Sequence, residues 1–381
     1  MTGIAGERLP QSEARAEERR LKITIVAPSL RYVGGQSVQA DLLLRHWSDD
    51  PDVEARFLPI DPVFPRGLRW AERVPFLRTL FRQPLYLLTL WRNLAAGDVV
   101  HVFSASYWSF LIAPTPALWI ARMRGQKTIV HYHSGEARDH LRRFRSARKI
   151  LRRADRLVVP SEYLIRVFDE FGLKSQAIPN LIDENQFIFR KRVPLRPHLI
   201  CTRGFHHYYG IDVVVRAFAE LKKQFPSACL DLVGKGPLEH EILALLRDLN
   251  LSGVRFRGVA AREEIGRLYH EADIFVNASW LDNMPVSIQE AFASGTPVVT
   301  TAPESIPYLV EHERTGLLSP IGDPHSLAAN VIRLLREPQL ALRLADNAHR
   351  QSRAYTWAQV HKRWLDLYDS LGRRAITAPF S

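Results

Sequence analysis

Little in this chain belongs to an oxidised or membrane-spanning protein. Two cysteines in 381 residues, Cys201 and Cys229, both fall in predicted strands, read as small core hydrophobes in a reducing compartment, and exclude a disulfide scaffold. No uninterrupted apolar run reaches the roughly 20 residues of a membrane-spanning helix. Tyr107 to Ala121 comes nearest, and Pro114 and Pro116 break it. Residues 1–20 lack the apolar core of a signal peptide and read as a disordered leader. No G-x-G-x-x-G opens a strand-to-helix turn, which weighs against a nicotinamide oxidoreductase, and no zinc spacing or RNP-like stretch accompanies the basic residues, which weighs against nucleic acid. No metal ion is implied.

The length is that of about two domains, and the charge is uneven. The net charge is +12, and residues 1–180 carry 28 of the 52 Lys and Arg against 18 of the 40 Asp and Glu. The densest run is Arg138 to Arg156, with Leu141, Phe144, Ala147, Ile150 and Leu151 at helical spacing. It is expected as one basic amphipathic helix, suited either to an anionic membrane surface or to packing on its own domain. Residues 66–91 form a second unusual stretch, rich in Arg, Leu, Phe and Trp. It suits an acceptor with a greasy part or a core helix.

Two series of short apolar strands alternate with helical patterns, which predicts parallel sheets covered on both faces. The first series runs over 21–27, 53–58, 99–103, 127–131, 156–159 and 176–178. The second runs over 199–203, 228–233, 254–257, 273–277 and 297–300. The stretch Trp280 to Val299 carries the chemistry. After the strand ending at Ala278, a loop leads to Pro285, placed to begin a helix. The first-turn amides beside Met284, those of Val286 and Ser287, then have no internal partner and form a site for phosphate. Asp282 in the loop and Glu290 in the helix are carboxylates suited to sugar hydroxyls; the alternatives are a helix cap and a solvated surface residue. Gly34 and Gly35, followed by Gln36, open the first helix after the first strand. Arg203 ends the first strand of the second series, where its guanidinium can fork across a diphosphate. His133 and Glu136 follow the strand ending at His131, at the carboxyl edge of a sheet where ligands bind.

An acid, seven residues, a second acid and then Ala-Phe-Ala-Ser-Gly-Thr-Pro-Val-Val, as these stand from Asp282 to Val299, resemble the signature of the retaining, nucleotide-sugar-dependent glycosyltransferases of family four. The resemblance runs from about Ile23 to the C-terminal helix. It implies a GT-B fold, two Rossmann-like domains with parallel sheets facing across a cleft: residues 21–182, completed by a helix at 355–381, hold the acceptor, and residues 183–354 hold the donor. It implies that Glu290 binds ribose, that Asp282, Asn283, Met284, Pro285 and Val286 contact the transferred sugar and diphosphate, and that Gly34, Gly35, Gly234 and Val259 face the donor. Gln36, His133 and Glu136 then serve the acceptor, with His133 preferred to His131 near the scissile bond. Asp282 stands where Glu is commoner, Tyr209 where the family has a second diphosphate-binding lysine, and Glu304-Ser305 where it has a glycine pair. The Tyr209 hydroxyl can still donate a hydrogen bond, and His206 or His207 can supply charge. His133, Arg203, Tyr209 and Asp282 are thus the catalytic candidates.

The expected activity is retaining, metal-independent transfer of a hexose-type sugar from a nucleoside diphosphate sugar to a glycan or lipid-linked acceptor, in cell-surface polysaccharide or glycolipid synthesis. No cofactor beyond the donor is called for. The expected place is the cytoplasm, with the basic run on the inner face of the membrane. The alternatives are a nucleotide-sugar epimerase of the same fold and a non-catalytic relative that only binds sugar nucleotides.

Overall fold

The computed structural model describes residues 20–31, 34–94 and 97–372; all but the last residue of the leader expected at 1–20, and the last part of the expected C-terminal helix, 373–381, lie outside them. Among the described residues, twelve strands form two six-stranded sheets. The first contains β1 (Leu21–Ala27), β2 (Val53–Pro59), β3 (Val99–Ser104), β4 (Lys127–Tyr132), β5 (Arg156–Val159) and β6 (Gln176–Ala177), in the order β2-β1-β3-β4-β5-β6. The second contains β7 (His198–Cys201), β8 (Cys229–Val233), β9 (Val254–Gly258), β10 (Ile274–Asn277), β11 (Val298–Thr301) and β12 (Leu317–Ser319), in the order β12-β11-β10-β7-β8-β9. The pairings are parallel, as strands buried on both faces and joined by helical crossovers must be.

The strand orders locate the sites. In the second sheet the connection reverses between β7 and β10, the doubly wound arrangement in which a crevice opens at the carboxyl ends of those two strands. In the first the reversal lies between β1 and β3. The helices are α1 (Gly35–Ser48), α2 (Pro75–Asn93), α3 (Tyr107–Ile112), α4 (Pro114–Met123), α5 (Ala137–Arg143), α6 (Arg145–Leu151), α7 (Glu162–Asp169), α8 (Ile211–Gln224), α9 (Glu239–Asp248), α10 (Arg262–Glu271), α11 (Val286–Ala293), α12 (Pro324–Arg336), α13 (Pro338–Ser352) and α14 (Trp357–Gly372).

By internal contacts the chain divides into two units. One comprises Met1–Tyr132, Ser146–Val158 and Trp364–Ser381; the other comprises His133–Arg145 and Val159–Arg363. In the first unit, Trp364 and Tyr368 of α14 pack with the rings of Trp47 and His101. Tyr368 Oη lies 2.8 Å from His101 Nδ1, and His101 Nε2 lies 3.3 Å from His131 Nδ1. His131 is therefore a core residue, closed in among Phe103, His101 and Trp364. In the second unit, residues of β7, β8 and β10 pack beneath α8 and α12, and α11 is buried against β11 and α13.

The single basic helix expected over Arg138–Arg156 is not formed. The chain breaks at Phe144, whose ψ of 87° leaves the helical region, and gives α5 and α6 with seven residues each. The apolar stripe is consumed in packing, since Leu141, Ala147 and Leu151 are fully buried. Arg138 is bound at 2.7 Å to Glu170 and also to Glu304. The two short helices thus spend their apolar residues on packing and leave Arg142, Arg143, Arg145 and Lys149 exposed.

Candidate active site

The site assembles at the carboxyl ends of β7 and β10. Thr202 and Arg203 leave β7, and the loop from Ala278 to Pro285 leaves β10. That loop is fixed at several points: Trp280 N–H donates to Tyr208 O at 2.8 Å, Thr301 Oγ1 to Ser279 O at 2.7 Å, Ser305 Oγ to Asp282 O at 2.8 Å, and Asn180 Nδ2 to Met284 O at 2.9 Å. Ser161 Oγ donates to Asn283 Oδ1 at 2.6 Å and locks that buried amide. Ser305 thus uses its hydroxyl to anchor the loop, where a glycine has no donor to offer.

The fixed loop directs Asp282 at Arg203. One carboxylate oxygen pairs with Arg203 Nη2 while the other accepts from Asn283 N–H at 2.9 Å. Arg203 Nη1 donates to Ser287 Oγ at 3.2 Å, and its buried Nε has no hydrogen-bond partner. The guanidinium carbon lies 3.8 Å above the ring of Tyr209, a cation–π stack. The aromatic face thus shields the guanidinium on one side while its forked N–H groups remain aimed along the crevice. Both ionic side chains are largely withdrawn from water, so the field each exerts is weakly screened.

Helix α11 begins at Val286 with Pro285 in the capping position; the first carbonyl to accept is Pro285 O, from Ile288 N–H at 3.1 Å. The Val286 and Ser287 amides precede that bond and carry the positive end of the helix. One turn further, Glu290 faces the same region. Burial pushes its carboxyl up to about 7, against the opposing pull of the Tyr269 hydroxyl and the Arg203 charge. Tyr269 is the organising group beneath: its hydroxyl is 2.6 Å from Thr202 Oγ1 and 2.9 Å from Ser287 O. Tyr269, Thr202 and the Ser287 hydroxyl are residues that sequence reasoning missed. Tyr269 sits on the inward face of α10 with no motif around it, and its role becomes visible only when that helix is laid against α11.

The remaining candidates divide between the two units. Gly234, the residue immediately after β8, backs Arg203 so closely that a Cβ would meet Arg203 O at 2.2 Å. Val259 follows β9 and is exposed. The segment 133–136 belongs to the same unit as Asp282, and a Cβ on Gly135 would come within 2.7 Å of Asp282 O. Burial lowers the pKa of His133 to about 3, so its imidazole is neutral near pH 7. Glu136 is exposed, with its pKa raised by partial burial of the carboxyl and by Asp139. Gly34, Gly35 and Gln36 lie in the other unit, after β1: the Ser37 hydroxyl accepts from Gly34 N–H at 3.0 Å and donates to Gly34 O at 2.9 Å, a Cβ on Gly35 would meet open space, and Gln36 Nε2 donates to Ser104 O at 3.4 Å.

Among the described residues there is no group of three or more His, Cys, Asp and Glu arranged to hold a metal ion, and no helix is long and apolar enough to cross a membrane.

Two family models match the chain in tandem: Glycosyltransferase Family 4 over residues 30–186 and Glycosyl transferases group 1 over residues 196–337. The amylovoran biosynthesis glycosyltransferase AmsK of Erwinia amylovora is 36% identical over 132 residues, 33% of this chain and 32% of that protein. The D-inositol 3-phosphate glycosyltransferase of Corynebacterium jeikeium is 28% identical over 261 residues, 62% of each. The matched part thus spans about one third of the first relative's length and about three fifths of the second's. Among solved structures, Anabaena HepE in complex with UDP-glucose superposes with a TM-score of 0.73 at 18% identity, covering 92% of this chain and 100% of that one. The sucrose-phosphate synthase of Thermosynechococcus elongatus gives 0.72 at 21% identity, covering 93% and 100%. These likenesses carry the fold, which is GT-B. With a family model on each sheet, the chain belongs to the group 1, family-four glycosyltransferases.

Proposed function

We propose that this chain is a glycosyltransferase that moves a sugar from a nucleoside diphosphate sugar to a glycan or lipid-linked acceptor, with retention at the anomeric carbon and without a metal ion. The observation that carries the proposal is the Arg203 constellation at the β7/β10 reversal point. A guanidinium with an unpartnered Nε, stacked on Tyr209 and next to the N-terminus of α11, supplies positive charge where a departing diphosphate needs it. Glu290 lies within the same helix, placed to accept hydrogen bonds from the ribose hydroxyls.

The proposed step is front-face displacement. The acceptor hydroxyl attacks the anomeric carbon as the bond to the diphosphate breaks, and its proton passes to the leaving phosphate oxygen. Arg203 and the first-turn amides of α11 stabilise the charge that develops there. Asp282, held by Arg203 and by Asn283 N–H, is oriented for the hydroxyls of the transferred sugar, and neutral His133 for hydrogen bonding to sugar or acceptor. Two family relatives support a polysaccharide acceptor by their names, the amylovoran glycosyltransferase above and the putative colanic acid glycosyltransferase WcaL of Salmonella typhimurium, 29% identical over 164 residues. The donor class is supported by the UDP-glucose that accompanies the Anabaena structure.

A thermal-shift panel of nucleoside diphosphates and their sugars tests the reading. A ligand at a hundred times its dissociation constant stabilises the protein by about 2.7 kcal/mol, and Arg203→Lys, which keeps the charge but loses the fork, should reduce turnover by roughly 100-fold or more. No stabilisation by any diphosphate, or an Arg203→Lys enzyme as active as the parent, would remove the proposal's basis.

A further inference from the structure

Helix α2 is amphipathic in the wrong sense for a solvated surface. Tyr86, Leu90 and Leu94 point inward, while the outward face at Leu80, Pro84, Leu87, Leu88 and Trp91 is apolar as well. Helices α3 and α4 continue the pattern at i, i+4 spacing: Trp108 with Ile112, and Trp119 with Met123, are all exposed, Trp108 to 71% and Trp119 to 65%. The helices share one side of the first unit. Gln83 Nε2 donates to Ile112 O at 2.6 Å and Tyr86 Oη to Ala113 O at 2.9 Å, at the junction of α3 and α4. At the other end the Arg124 guanidinium stacks over Trp91 at 4.8 Å and bonds its carbonyl. Contacts at both ends make α2 and α4 parallel neighbours.

Scattered exposed apolar side chains need no explanation, whereas three tryptophans with Leu87, Leu88 and Met123 on neighbouring helices mark an interaction surface. Charge narrows the partner. Helices α2, α3 and α4 contain no Asp or Glu; they carry Arg78, Arg92 and Arg122, and also Arg82, which is largely covered and lies 3.9 Å from Glu72. A protein partner requires no such one-sided charge, and a second copy of this surface would bring like charges together. An anionic bilayer fits both halves of the composition: tryptophans seat at the depth of the lipid headgroups, leucines enter the acyl boundary, and arginines meet the phosphates.

We propose that α2, α3 and α4 form a monotopic membrane-docking face that inserts shallowly into an anionic lipid surface. This places the membrane contact on the 66–124 region and not on the basic run at Arg138–Arg156. The inference stands on exposure and charge, independently of the transferase reading.

The test is cosedimentation of the full chain with phosphatidylcholine vesicles containing phosphatidylglycerol, against phosphatidylcholine alone, with light scattering in the absence of lipid. The parent should sediment with the mixed vesicles at low salt and be partly released at high salt, because the headgroup attraction is screened. The combined variant Leu88→Glu, Trp91→Glu, Trp119→Glu should lose vesicle partitioning by at least about tenfold. Retained stabilisation by a nucleoside diphosphate, or an unchanged circular dichroism spectrum, establishes that the variant is folded. Glutamine at Arg142, Arg143, Arg145 and Lys149 should leave partitioning within about threefold of the parent. The proposal is overturned if the parent stays in the supernatant with anionic vesicles, if the glutamate variant still sediments with them, or if the parent is a stable dimer that the same substitutions convert to monomer. Loss of donor binding with intact vesicle binding would instead count against the proposed function alone.

Discussion

Glu290 is a carboxylate whose environment and proposed task pull in opposite directions. Burial raises its pKa from 4.5 to about 7. Below the unfolded value both states hold the proton; between the two values only the native state does, so stability falls as pH rises through that window, by at most about 3 kcal/mol. Glu290→Gln should be nearly flat over the same range and more stable than the parent at alkaline pH, which urea unfolding at several pH values measures. Donor affinity should move the other way, because accepting two ribose hydroxyls requires the ionised carboxylate. The parent should bind donor more tightly as pH rises through neutrality, and Glu290→Gln should bind weakly without that dependence. Tyr209 is a second residue that bears on Arg203, through the face of its ring. The sequence suggests its hydroxyl as a substitute for a missing lysine, but the structure turns its ring face to Arg203. The expected outcome is that Tyr209→Phe keeps most of the turnover, because the stack survives. Tyr209→Leu should lose about 0.5–2 kcal/mol of transition-state stabilisation, read as a fall in kcat/KM; equal activity of the Leu variant would show that the stack contributes nothing.

At the scale of elements, the strands were legible wherever an apolar run was bounded by turn residues. Eleven of the twelve appear within two residues of their expected limits, and β12, only three residues long, carries too little sequence for a periodic signal. The helical spacing in Arg138–Arg156 misled because periodicity does not register a local break: a single residue outside the helical region at Phe144 divides the run. The acid pair and Arg203 were legible as a pattern, whereas Tyr269 and Thr202 were not, because they meet only through the packing of α10 on α11 and β7. Gly210 shows the same limit. It reads as one more turn glycine, yet it lies at φ 59°, and a Cβ there would meet Ala278 O at 2.2 Å, where the start of α8 crosses the end of β10. Gly210→Ala should therefore push apart the two strand ends that bring Arg203 and Asp282 together. We expect destabilisation of at least about 1 kcal/mol and a larger relative loss of diphosphate affinity than of stability, compared by denaturation and by ligand titration.

At the scale of the whole chain, the first unit is built from three separate stretches, and the last of them arrives after the entire second sheet has been made. Trp364 and Tyr368 are almost completely buried there, against His101 and Trp47. The sequence pointed to a returning C-terminal helix only through its family resemblance, since nothing in residues 357–372 says which sheet they cover. The consequence is energetic. A fragment ending near residue 182 lacks two of the largest side chains of its own core, and exposes the aromatic cluster around His101 and His131 in their place. Trp364→Ala in the full chain opens the same cavity without removing the helix, and large aromatic truncations of this kind cost roughly 3–5 kcal/mol. The unfolding transition of the first unit should drop accordingly, while stabilisation of the protein by a nucleoside diphosphate, whose proposed site is built from the second unit's residues, should survive. Calorimetry with and without the diphosphate separates the two effects. A Trp364→Ala protein that melts like the parent would show that the helix merely rests on the first sheet and does not complete it.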